Sequence, residues 1–294
     1  MTTSFTTRLR AWLLIAGLSG LLLGIGAVIG GGALWMFVVL TAVFNLAMYW
    51  FSDKLALKMS RAQPVSDAEA PELYEDLRDL TTRAGLPMPR VYLIPNDQPN
   101  AFATGRNPSH SAVAVTKGML DQLPRYQVRG VLAHELAHVK NRDILVATIA
   151  AVIAGAVSAI ANILQWTLIF GGGSDDEDNP LGMVGALATI IVAPIAAMLL
   201  QLAVSRQREY LADATGARFL GEAKPLADAL GTLEQKIAVK PMAVNPATAS
   251  LYIANPLAAL KGRGMTGLFS THPPMQERIR RLHELDRELT GRVA

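Results

Sequence analysis

Val131-Leu132-Ala133-His134-Glu135-Leu136-Ala137-His138-Val139 is the stretch on which the reading of the chain turns. No Gly or Pro interrupts it, and it reads as helix throughout. Residues four apart on a helix lie one above the other, so His134 and His138 offer two imidazole nitrogens to one metal ion. Glu135 sits about 100° round the helix. That is too far aside for a third ligand, but close enough to reach a water in an open coordination position. This is the H-E-x-x-H pattern, two zinc ligands with a general base beside them. Val128, Leu132, Leu136 and Val139 gather on the opposite side as a packing face. The competing reading is a core helix whose two histidines are hydrogen-bonded. Two imidazoles and a carboxylate on an apolar turn are costly to bury without a metal.

The surroundings of this helix point to a membrane. Of 294 residues, 51% are hydrophobic and only 17% charged. The apolar residues concentrate in four runs: Trp12 to about Ile29, Leu34 to about Phe51, Ile144 to Phe170, and Leu181 to Val204. The first two are each close to the roughly 20 residues that cross a bilayer, and the other two are longer. Gly30-Gly31-Gly32 separates the first two, and Gly171-Gly172-Gly173 with an acidic loop ending at Pro180 separates the others. Arg8, Arg10, Lys54, Lys58, Lys140, Arg142, Arg206 and Arg208 flank the outer ends of both hairpins. By the positive-inside rule, both termini and the polar segments face the cytoplasm. A cleaved signal peptide does not explain the first run, because the second follows at once and would still span. The acidic loop lacks the Gly and Glu spacing of a calcium loop and reads as a solvated turn.

The net charge of +3 is scattered beside apolar runs, with no basic-aromatic stripe, so nucleic acid is not an expected partner. Cysteine is absent, which excludes a disulfide framework and a thiolate metal site.

The polar stretch from Ser52 to Pro124 is expected to be soluble. Ser66 and Glu69 are spaced as a capping box, and Leu73, Tyr74, Leu77 and Leu80 mark one face of a helix ending at Gly85. Strands are expected at 90–94, 100–105 and 111–116, the last two joined by the turn Arg106 to His110. An exposed sheet edge beside the histidine helix would suit an extended peptide held by main-chain hydrogen bonds. On spacing alone, Asn100 after Pro99 is a turn residue. Downstream, Pro225 opens a helix through Ile237, 238–264 is rich in Pro and Gly, and 273–290 is a helix with Met275, Ile279, Leu282, Leu285 and Leu289 on one side.

Zinc needs one more protein ligand and an open position. His138 lies six residues before the third run, and Glu209 five after the fourth. If both helices run straight out of the bilayer, each group stands roughly 8–9 Å above the same membrane face, and a short hairpin makes the helices neighbours. That selects Glu209. The alternative is that Glu209 pairs with Arg206 or Arg208. Asp213, one turn further on, could accept the other ring N–H of a histidine ligand.

His134-Glu135-Leu136-Ala137-His138, the apolar hairpin after it, and Ser205-Arg206-Gln207-Arg208-Glu209-Tyr210-Leu211-Ala212-Asp213 together resemble the HtpX family of integral-membrane zinc metalloproteases. Asn100-Ala101-Phe102 and Thr271-His272-Pro273-Pro274 also match the family pattern. The resemblance implies a gluzincin fold with one Zn(2+) per chain on His134, His138 and Glu209. It implies a bacterial cytoplasmic (inner) membrane location, protein quality control under stress, and misfolded or damaged membrane proteins as substrates. It assigns Asn100, Ala101 and Phe102 to holding the substrate. His272, by itself a helix-capping or surface histidine, becomes the residue stabilising the tetrahedral oxyanion beside the general base Glu135.

The expected fold class is an α-rich membrane protein, with four transmembrane helices in two hairpins and a cytoplasmic α+β zincin-type domain holding a small β-sheet. Residues 1–52 and 144–204 would be the hairpins. Residues 53–143 and 205–294 would be the two halves of the catalytic part. Two other functions compete: a non-proteolytic, metal-stabilised membrane adaptor, and a prenyl-protein peptidase, whose relatives carry more spans than this chain offers.

Overall fold

The histidine helix ends sooner than its sequence suggests. In the computed structural model, which describes residues 19–20, 23, 33–153, 206–239, 248–256 and 273–291, it spans Arg125–Asn141. Arg142 then adopts a left-handed conformation (φ 59°), and its N–H closes on His138 O and Val139 O. That left-handed cap terminates the helix, and an apolar helix restarts at Ile144. The straight run into the third apolar segment, on which the height argument for Glu209 leaned, is therefore absent. Most of the second hairpin, the acidic loop, nearly all of the first apolar run and His272 lie outside the described residues.

The described helices are α1 (Ala33–Met59), α2 (Pro71–Ala84), α3 (Lys117–Gln122), α4 (Arg125–Asn141), α5 (Ile144–Ile153), α6 (Arg206–Leu220), α7 (Lys224–Val239) and α8 (Met275–Thr290). The strands are β1 (Gln63–Pro64), β2 (Arg90–Ile94), β3 (Ala101–Gly105) and β4 (Ser111–Thr116). They form one mixed sheet in the order β1-β2-β4-β3. β2 and β4 are parallel, with Val91 opposite Val113, while β3 runs antiparallel to β4, with Ala103 opposite Val113. β3 therefore has one edge without a strand partner, and that edge faces the histidine helix.

Both faces of the sheet are covered, which is why every residue of β3 and β4 is buried. Val91, Ala101, Ala103, Val113 and Val115 point into a core with Leu77, Leu80, Leu132, Leu136, Leu226 and Leu230 from α2, α4 and α7. Ile94, Phe102, Ala112 and Ala114 point the other way. They meet Ala56 and Leu57 of α1, Ala151 and Val152 of α5, and Tyr252. α4 is thus enclosed on nearly all sides, rather than packed along the single face expected from Val128, Leu132, Leu136 and Val139.

α1 continues two turns beyond the expected end of the second apolar run, to Met59. Residues 34–59 are long and apolar enough to cross a membrane, with a mean hydropathy of 1.8. Trp35, Val39, Val43 and Leu46 are exposed, as lipid-facing side chains are. Asn45 Nδ2 donates to Ser19 Oγ at 2.8 Å, which sets part of the first apolar run beside α1. Lower on α1, Asp53 accepts from Arg90 Nη2 at 2.6 Å and ties the helix to β2. The sheet is thereby wedged between the candidate span and the histidine helix.

Ser66 and Glu69 do pair, with Glu69 Oε2 accepting from the Ser66 N–H at 2.8 Å. The pair closes a turn, and α2 begins later, at Pro71, without a side-chain cap. Pro at the first helical position costs no hydrogen bond and presets φ, so it sets the start. Asp76, buried on α2, accepts from Arg125 and Arg129 and locks α2 to α4.

Candidate active site

Two close helix crossings build the site. Gly216 on α6 lies against α4. A Cβ there would stand 2.9 Å from the backbone of Ala133 and His134. Gly130 on α4 lies against the start of α7, where a Cβ would meet Leu226 N at 2.6 Å. Only glycine permits either approach. Glu209, Asp213 and Gly216 share one face of α6 at helical spacing, so the contact at Gly216 draws both carboxylates onto the histidines.

His134 and His138 turn their Nε2 atoms toward each other, 3.1 Å apart. Glu209 Oε2 stands 3.7 Å from His134 Nε2, and Oε1 stands 3.8 Å from His138 Nε2. A tetrahedral ion with bonds of about 2.0–2.1 Å has ligand atoms about 3.3–3.4 Å apart, so these three donors bracket a metal site with little adjustment. His134, His138 and Glu209 also form the one group of at least three His, Asp or Glu side chains, among the described residues, whose ligand atoms all lie within 4.8 Å of one another. The carboxyl groups of Glu135, Asp143, Glu209 and Asp213 converge here beside the guanidiniums of Arg208 and Arg278.

Each imidazole is fixed by its other nitrogen. His134 Nδ1 lies 2.9 Å from Asp213 Oδ1, and His138 Nδ1 lies 3.1 Å from both carboxylate oxygens of Asp143. Donation from Nδ1 leaves Nε2 with its lone pair free for an ion. Asp213 is in turn gripped by Arg278, whose Nη2 donates to Oδ1 at 2.7 Å and Nε to Oδ2 at 2.9 Å. Arg278 is fully buried.

Burial lowers the His134 imidazole to about 4. Burial opposes charge on His138 as well, but Asp143 and Glu209 outweigh it and raise that ring to about 9. The two rings are thus driven in opposite directions, His134 by burial and His138 by the carboxylates beside it. Burial also works against charge on Asp213, yet Arg278 and His134 hold it down at about 2. Glu135 is pushed up to about 8 by burial. The Ala103 backbone N–H donates to its carboxylate, while Glu135 Oε1 is buried without a hydrogen-bond partner. A buried, unpartnered carboxylate oxygen beside the three donors is poised to take a proton.

Asn100, Ala101 and Phe102 are fully buried at the start of β3. Asn100 Nδ2 donates to Ala254 O at 2.8 Å, and the Ile253 N–H donates to Ala101 O at 3.0 Å. Phe102 meets the Tyr252 ring edge-on, with centroids 5.1 Å apart. These three residues are thus close to the cleft but engaged with the segment 252–254.

Asp143 and Arg278 were missed by sequence reasoning. Asp143 reads as part of a charged membrane flank. Arg278 carried a signal, because it falls between Met275 and Leu282 in the apolar stripe of α8, where an arginine needs a buried partner.

Comparisons with known proteins supply the family. The sequence profile described as "Peptidase family M48" matches residues 67–286. Similar proteins named "Protease HtpX homolog" come from Pelotomaculum thermopropionicum (54% identical, covering 94% of this chain and 98% of that protein), Syntrophobacter fumaroxidans (53%, 95% and 99%) and Aquifex aeolicus (50%, 92% and 90%). Among solved structures, S. mikatae Ste24p shares the fold, with a TM-score of 0.51 at 21% sequence identity over 96% of this chain and 67% of that one. With a family match over most of its length and relatives at half identity or more end to end, the chain belongs to peptidase family M48, in its HtpX branch.

Proposed function

We propose that the protein is a zinc-dependent endopeptidase of the membrane, with one Zn(2+) per chain held by His134 Nε2, His138 Nε2 and Glu209. The observation that carries this reading is the convergence of these three donors within 4.8 Å beside a buried Glu135 carboxylate. When bound, zinc supplies Lewis acidity, polarising the scissile carbonyl and lowering the pKa of a water toward about 7. Glu135 removes the proton of the attacking water and returns it to the leaving amine. Asp213 and Asp143 keep the two imidazoles in the tautomer that presents Nε2. The substrate strand lies along the outer edge of β3, placed by Asn100, Ala101 and Phe102. His272 donates to the oxyanion, a role resting on the family resemblance alone.

In this reading residues 1–52 and 144–204 form two transmembrane hairpins, and 53–143 with 205–294 form the catalytic part on the cytoplasmic side of a bacterial inner membrane. The exposed apolar surface of α1 and its packing on the sheet support it. Ile144 and Ala147 of α5, at the start of the third apolar run, line the cleft, which supports cutting near the bilayer; misfolded or damaged membrane proteins as substrates are what the family resemblance implies. A non-proteolytic adaptor is disfavoured by family membership and by the unpartnered Glu135 oxygen. The experiment is metal analysis of the detergent-solubilised protein together with casein cleavage, before chelation, after chelation and after zinc return. One zinc per chain with reversible loss of cleavage is expected. Cleavage that survives complete zinc removal overturns the reading.

A further inference from the structure

We propose that residues Tyr252–Ala254 are an internal occupant of the substrate edge, a strand mimic that must leave before a peptide binds. The inference rests on the peptidase reading above. That reading gives substrate the amide of Asn100 and the Ala101 carbonyl at the start of β3, and in the structure the chain's own segment already holds both. The Ile253 N–H donates to Ala101 O at 3.0 Å. Asn100 Nδ2 donates to Ala254 O at 2.8 Å, and its Oδ1 accepts from the Ala254 N–H at 3.4 Å. One bond is main chain to main chain, as where an added strand pairs with a sheet edge, and the other two run through the Asn100 side chain.

Tyr252 seats the segment from one side, buried against Phe102. Arg278 seats it from the other, with Nη1 donating to Ile253 O at 3.3 Å. The same guanidinium holds Asp213 behind His134. The occupant and the histidine support therefore meet on one side chain.

The consequence is steric. The cleft lined by Ala103, His134, Glu135 and Glu209 is walled on the far side by Ser250, Leu251 and Ile253. It holds a cavity of about 20 Å³, room for about one water molecule. Even small-molecule pockets run to about 300–1,000 Å³. Ile253 is the member of the segment that lines this cleft, and an extended peptide pairing with Ala101 O must displace its N–H. Removing such an occupant raises the fraction of binding-competent protein and tightens apparent binding by the same factor.

The test uses the full-length, zinc-loaded protein in detergent. In the Glu135→Gln variant saturated with an unstructured peptide, the amides of Ile253 and Ala254 lose hydrogen-exchange protection while Ala103 does not. Unchanged or increased protection at 253 and 254 would make the segment a fixed wall and overturn the inference. In a Glu135-intact background, Tyr252→Ala lowers KM for the peptide about threefold or more, as the occupied fraction falls, with zinc content unchanged. An unchanged or raised KM also overturns it. A zinc-loaded parent that cuts no peptide overturns the peptidase reading itself, which is a separate result.

Discussion

Arg278 and Asp213 form a two-pronged ion pair, Nη2 to Oδ1 at 2.7 Å and Nε to Oδ2 at 2.9 Å, with the guanidinium wholly out of solvent. Asp213 Oδ1 also meets His134 Nδ1 at 2.9 Å, so a side chain from the C-terminal helix fixes the ring of a proposed ligand on α4. Removing one partner of such a pair strands a buried charge and costs about 3–5 kcal/mol. Arg278→Met should lower the thermal midpoint of the zinc-loaded protein and, through His134, weaken zinc binding by about 10–100-fold. Arg278→Lys keeps the charge but not the fork, and should fall between. Chelator competition and thermal unfolding read these out, and parental values for Arg278→Met would show that the pair does not support the site.

His134, Glu135, His138 and Glu209, the proposed ligands and base, were legible as candidates because local rules cover them. Helical spacing aligns the histidines, and membrane topology ranks Glu209 above the other downstream glutamates. The route to Glu209 was nonetheless partly wrong. α4 stops at Asn141 instead of running into the membrane, and contact of α6 with α4 at Gly216 brings the carboxylate in. Strands 90–94 and 111–116 were legible from β-branched alternation, and β3 begins one residue later than the expected 100. The pairing of 252–254 with Asn100 and Ala101 was not legible. It depends on hydrogen bonds between residues more than 150 apart in sequence, with no periodic pattern to announce them.

Glu135 tests the chemistry apart from the binding. Its carboxylate is buried between Ala103 and the proposed ligands, and Oε1 lacks a hydrogen-bond partner. Glu135→Gln preserves shape and removes the base. Zinc content should be unchanged while kcat for peptide cleavage falls by about 10²–10⁴-fold, the range for a positioned acid–base group. A variant that cuts at the parental rate would remove Glu135 from the proton path.

Asp143 acts on the second imidazole, and it can do so only because the helix breaks. On an unbroken helix a residue five positions on lies about 140° round from His138, pointing away. The left-handed Arg142 turns the chain back, and both Asp143 oxygens stand 3.1 Å from His138 Nδ1. Asp143→Ala should therefore weaken zinc binding by about 10–100-fold. Asp143→Asn keeps an acceptor without the charge and should recover part of that loss. Equal zinc affinity in all three proteins would show that His138 is oriented by something else.

Gly216 offers the sharpest test of how the site is assembled, since it touches neither metal nor substrate. A methyl group there would stand 2.9 Å from the α4 backbone at Ala133 and His134. Backbone cannot swing aside as a side chain does, so α6 must slide or tilt away. Overpacking of this kind costs about 1–3 kcal/mol, enough to lower the thermal midpoint without unfolding a sound protein. Glu209 and Asp213 travel with α6, whereas His134, Glu135 and His138 stay on α4. Gly216→Ala should therefore weaken zinc binding out of proportion to its loss of stability. Gly231→Ala, on α7 with open space around its Cβ position, should leave zinc affinity unchanged and serves as the matched control. Parental zinc affinity in Gly216→Ala would mean the helices tolerate the extra methyl, and that the crossing does not set where Glu209 sits.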